Sequence, residues 1–219
     1  MTAPQRPTGR VGREARAQGL LLVRGEQDVV ARWAERGLVA AHTVPLVGWT
    51  AVLPAEPTSR ASPPYDDARA VLAARPLPSK LRPSIGLFAL QGRAVVTVQP
   101  AGWRAVQRWL VWTPGQGVAR TPRLPLLRPV DLVRAAGAEQ RQAGTALLSV
   151  LRDRQGPATL WLLDVMRVLG LPGERLLTGE HRPGESAGAA LVEPSASSVA
   201  RFESILRDEA EQRAEREET

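Results

Sequence analysis

Between Asp67 and Asp131 the chain holds Arg69, Arg75, Lys80, Arg82, Arg93, Arg104, Arg108, Arg120, Arg123 and Arg128, and no acidic residue. The same window contains Trp103, Trp109 and Trp112. Guanidinium groups hold phosphate oxygens through paired N–H donors, and indole rings stack on bases. Many cations, several indoles and no carboxylate suit a polyanion. The raw number of arginines carries less weight. Of 29 basic residues only Lys80 is lysine, and that skew accompanies 19 Gly and 19 Pro, as GC-rich codons would produce. Codon usage does not explain why acids vanish from one window. Beyond Asp131 they return, and the last nineteen residues carry seven acids against four arginines. Alternation along a strand puts Arg104, Arg108 and Trp112 on one face and Trp109 and Val111 on the other. The expected nucleic-acid contacts are Arg82, Arg93, Arg104, Arg108, Trp112, Arg120 and Arg123.

A second chemistry-bearing motif is Gly184-Glu185-Ser186-Ala187-Gly188. It matches the G-x-S-x-G nucleophile elbow and resembles the form seen in carboxylesterases, which implies serine hydrolysis at Ser186. The resemblance covers five residues. An elbow needs a buried strand before its serine, and Thr178 to Pro183 are polar and turn-forming. The α/β-hydrolase order also puts a histidine after the serine, but the two histidines, His42 and His181, both precede Ser186. The segment therefore reads as a linker, and no catalytic residue is assigned. Gly115-Gln116-Gly117 opens like a dinucleotide fingerprint, but Arg120 stands at the third glycine position and a turn is expected. With no cysteine and no carboxylate cluster, no metal site and no cofactor are expected.

These groups must be carried by a framework. Leu20 to Val23 reads as a strand, followed by a helix from Glu26 to Glu35 with Val29, Val30, Trp33 and Ala34 as its apolar stripe. His42 to Leu53 is extended, interrupted at Pro45 or Gly48. A second helix spans Tyr65 to Ala74. Ile85–Leu90 and Ala94–Val98 flank Gln91-Gly92-Arg93 as a hairpin, with a third strand from Arg108 to Thr113. Helices are expected over Pro129–Ala136, Gln140–Arg152 and Ala158–Leu169, then over Ser197–Glu218. A helix-turn-helix reading of Gln140–Leu169 fails because its second helix offers essentially Arg167 as an exposed cation.

The expected fold class is α+β: an antiparallel β-meander packed with two N-terminal helices, followed by a helical C-terminal third. The expected organisation is a disordered basic tail (1–18), an α+β domain (19–128), a helical hairpin region (129–172), a linker (173–196) and a charged C-terminal helix (197–219). No apolar run approaches the roughly 20 residues of a membrane span, and no apolar segment follows the basic N-terminus, so a cytoplasmic location and no membrane contact are expected. The leading functional expectation is non-enzymatic binding of nucleic acid or another polyanion. The alternative is an adaptor that binds a protein partner, an acidic one at the basic window or another through the helical third. A homodimer through Leu147, Leu151, Trp161 or Phe202 belongs to the same reading.

Overall fold

The computed structural model describes residues 18–102, 105–119, 121–138 and 140–217. Its first half runs β1 (Gly19–Val23), α1 (Gln27–Glu35), β2 (Ala41–Leu46), β3 (Trp49–Pro54), α2 (Ala68–Ala74) and β4 (Ser84–Leu90). These strands lie in the order β4-β1-β3-β2, all neighbours antiparallel, which is the split β-α-β arrangement. A meander of β5 (Arg93–Gln99), β6 (Arg108–Thr113) and β7 (Gly117–Ala119) extends the sheet beyond β4. The short β8 (Ala190–Val192) completes it beside β2, giving eight strands in the order β7-β6-β5-β4-β1-β3-β2-β8. The fold is α+β, with the expected hairpin in place and Leu90 opposite Arg93 at its turn.

Both faces of the sheet are covered, and β1 shows why its sequence is uniformly apolar. Leu21 and Val23 face α1 and α2, meeting Val30, Trp33, Leu72 and Phe88. Leu20 and Leu22 face the opposite layer, which holds Leu87, Val96, Leu110, Leu147 and Trp161. A strand buried on both sides shows no polar alternation. The second layer is made by α3 (Pro129–Ala136), α4 (Gln140–Arg152), α5 (Ala158–Leu169) and α6 (Glu174–Thr178). The helical C-terminal third thus follows the meander in sequence and lies against it in space. Leu147 (0 % exposed) and Trp161 (3 %) belong to this core, so neither can supply the expected dimer contact. Leu151 and Phe202 are half-buried.

Local chemistry sets the helix ends. Asp67 caps α2 by accepting from the backbone of Arg69 and Ala70 at 2.9 and 3.0 Å. The helix consequently starts at Ala68 rather than Tyr65. Gly137 and Gly170 end α3 and α5 at φ of 71° and 62°, where only glycine is unstrained.

The segment expected as a linker, 173–196, is structured. It carries α6, a 3-10 turn at Pro183–Glu185, and β8 paired with Ala41–Thr43. A Gly- and Pro-rich composition concealed it, because each of these elements is only three to five residues long. The last helix, α7 (Ala196–Glu217), starts where Ser195 donates its amide to the Glu35 carbonyl at 2.8 Å. Phe202 then meets Tyr65 edge-on at 5.2 Å. The rest of α7 is largely exposed. The expected tail lies outside the described residues except for Gln18, whose carbonyl accepts from Ala89 at 2.8 Å. Among the described residues, no helix is long and apolar enough to cross a membrane.

Candidate functional site

Several arginines of the acid-free window are occupied, Arg75 and Arg82 by backbone carbonyls and Arg108 by a carboxylate. Arg75 lies across the C-terminal end of α1, donating to the Trp33 carbonyl and, at 3.3 Å, to that of Ala34. Its guanidinium stacks on the Trp33 ring at 4.0 Å from the centroid. Gln99, itself buried, holds this segment by accepting from the Leu77 amide at 2.7 Å and donating to the Arg75 carbonyl at 3.0 Å. Burial pushes the Arg75 guanidinium down to about 10, still far above neutrality, so it stays charged. The last carbonyls of a helix carry partial negative charge and need donors, so they do for Arg75 what a carboxylate would.

Arg24 repeats the arrangement on the other face. It donates to the Ala136 carbonyl at the end of α3, at 3.1 Å, and stacks on Trp49 at 4.3 Å. Arg82 donates to the carbonyls of Leu77 and Ala105, at 2.9 and 3.0 Å. Arg108 pairs with Asp131 on α3, whose carboxylate also accepts from the Arg128 amide at 3.2 Å. The acid that closes the window thus neutralises one of its arginines. Of the expected contacts, Arg82 and Arg108 are engaged within the chain.

Trp112 corrects the expectation of an exposed stacking ring. It does share a strand face with Arg108, but α4 and α5 cover that face. Trp112 is 0 % exposed, stacks on Trp161 at 5.3 Å between centroids, and donates its Nε1–H to the Asp153 carbonyl at 2.7 Å. Trp109 is half-buried on the opposite face, against the core beneath α1 and α2. Arg104 and Arg120 lie outside the described residues, as does Trp103. Arg93 and Arg123 are exposed, with no carboxylate partner among the described residues.

Arg93 opens β5 at the end of the sheet where the β4–β5 and β6–β7 turns lie side by side, one residue beyond the Ala94–Trp112 pair. The segment after α4 leans on the same end. The Arg154 carbonyl accepts from Gly115 at 2.7 Å, and its side chain passes over Gly117. Arg152, Arg154 and Arg93 are all exposed, and none pairs with a carboxylate among the described residues. The local acid, Asp153, instead accepts from the Gln155 amide at 2.9 Å. Gln18 is held at this end too, where its carbonyl accepts from the Ala89 amide. Sequence reasoning missed Arg152 and Arg154 because they lie beyond Asp131, which closes the acid-free window, with Asp153 between them. Their signal was an Arg-Asp-Arg run ending a helix just before Gly156-Pro157.

Ser186 and His181 line one cleft, at the opposite end of the sheet. The geometry there is not that of a nucleophile elbow. A 3-10 turn precedes Ser186 and a strand follows it, and no hydrogen bond joins its hydroxyl to His181 among the described residues. Hydrolytic activation needs a base within reach of the hydroxyl. His42 lies on β2 between Leu53 and Leu191, beneath Gly184, and burial lowers its affinity for protons. No three metal-ligating side chains come together among the described residues. Comparison of the chain with family models, curated proteins and solved structures finds no match.

Proposed function

We propose that the protein is a non-enzymatic polyanion-binding protein, with nucleic acid as its foremost ligand, and that contact is made at the turn end of the sheet. The observation that carries this reading is the grouping of Arg93, Arg152 and Arg154, exposed and without carboxylate partners among the described residues. Such an arrangement favours phosphate backbones without reading bases. With Trp112 buried, that ring offers no stacking surface, and the contact proposed at Arg93, Arg152 and Arg154 is electrostatic. Arg123 extends the basic surface elsewhere on the sheet edge.

The test is fluorescence anisotropy with labelled single- and double-stranded oligonucleotides across a salt series. Binding at low salt that weakens steeply as salt rises supports the reading. No binding at low salt, with the full chain or after truncation beyond Leu206, overturns it. The truncation matters because the acidic part of α7 can compete for the same cations.

A second reading, an adaptor for a protein partner, is favoured by α7. Its 22 residues span about 33 Å, and most of its surface is exposed, including Ile205 at 46 %. Co-purification of a partner that is lost on truncation beyond Leu206 would support this reading over the first.

A further inference from the structure

We infer that the cleft between the end of β2 and α6 is a binding site for a small amphipathic carboxylate. Its volume is about 630 Å3, a size that suits a small organic molecule. Val44, Leu46, Leu171 and Leu176 give it an apolar floor, continuous with the core. The polar groups sit at the mouth: Arg175, His181 and Ser186. The His181 amide donates to the Arg175 carbonyl at 3.0 Å, which holds the two residues at one rim.

The charges at this rim are uncompensated in a specific way. Glu174 lines the same cleft, but Arg167 takes its carboxylate at 3.3 Å. Arg175 has no carboxylate partner among the described residues, and the Ser186 hydroxyl has no hydrogen-bond partner there. A guanidinium, a hydroxyl and an imidazole lining one cleft with an apolar floor fit a planar anionic headgroup carrying a hydrocarbon body. With Arg175 the one lining guanidinium left without a carboxylate partner among the described residues, a singly charged carboxylate matches the rim better than a phosphate ester. The site lies away from Arg93, Arg152 and Arg154 and does not depend on the polyanion reading.

The experiment is a titration of the isotopically labelled full chain with hexanoate, hexanol and hexyl phosphate, followed by amide resonances. Hexanoate should give saturable shifts at Val44, Gly173 and Ser186. Hexanol should bind about tenfold more weakly, because it lacks the charge. Arg175→Ala should weaken hexanoate by about tenfold and leave hexanol unchanged, while resonances outside the cleft report an intact fold. Absence of saturable shifts overturns the proposal. So does equal affinity for hexanol, tighter binding of hexyl phosphate, or an Arg175→Ala variant that binds hexanoate as before.

Discussion

The Arg75 guanidinium lies 4.0 Å from the centre of the Trp33 ring and donates to the backbone carbonyl of that same tryptophan. One residue thus supplies both the ring that shields the cation and an oxygen that accepts from it. Because the oxygen belongs to the last turn of α1, the contact fixes where that helix ends. Arg75→Met should keep the packing on Trp33 and lose the donors, costing about 2 kcal/mol of stability. Arg75→Lys should recover only part of this, since an ammonium lacks the planar fork. Urea denaturation with an unchanged m-value is the measurement. A loss below about 0.5 kcal/mol in Arg75→Met would show that the carbonyls find other donors.

Trp112 should behave as a core residue and not as a ligand contact. Trp112→Ala should cost about 3–5 kcal/mol, from the lost burial and the gap left beside Trp161. Trp112→Phe keeps much of the volume and drops the bond to the Asp153 carbonyl, so its cost should be smaller. Oligonucleotide affinity of the folded Phe variant should match the parent. A selective loss of single-strand binding there would mean that the ring is reachable.

At the turn end, replacing Arg93, Arg152 and Arg154 together with alanine should weaken oligonucleotide binding for all sequences alike. The log–log salt slope should flatten by about 2 to 3, since each neutralised phosphate contributes about 0.7 to 0.9. Arg82→Ala and Arg108→Ala remove cations already engaged within the chain, so they should lower stability and leave the slope unchanged. A flatter slope from Arg108→Ala and none from the triple variant would move the interface to the other end of the sheet.

Acid should destabilise the protein through His42. Burial lowers its pKa below the ordinary 6.5, so the unfolded chain takes up a proton that the folded chain resists. Stability is therefore full above pH 6.5 and declines as pH falls through the lowered folded value. In a stability–pH profile, His42→Gln should flatten the decline in that window. An unchanged profile would assign the decline to carboxylates.

The sequence carried the fold class through residues with strong local signatures. Leu20 to Val23, the Gln91-Gly92-Arg93 turn and the stripe of Val30, Trp33 and Ala34 are read by neighbours in the chain. Other features were set across it. The second layer over Trp112 comes from α4 and α5, and β8 finds β2 across nearly 150 residues. The continuous apolar run of β1 was the available hint that both faces are covered. The candidate site was less legible for a specific reason. Absence of acids was read as unpaired cations, but Arg75 and Arg82 are held by carbonyls, which no count of charged residues includes. Of the cations left exposed at the turn end, Arg93 lies in the window, whereas Arg152 and Arg154 lie beyond Asp131, which closes it.

The sheet finishes on both sides with a strand of three residues, β7 at one edge and β8 at the other. Each leaves few free backbone donors and acceptors in line, and a second chain would find too short a row to zip onto. Longer strands, β6 and β2, stand one place further in with their neighbours attached. Loss of β8 would bare the edge of β2 at Ala41, His42 and Thr43, of which Ala41 and Thr43 are now buried. The short segment Ala190–Val192 therefore hides the backbone of Ala41–Thr43 while offering only three residues of its own as an edge.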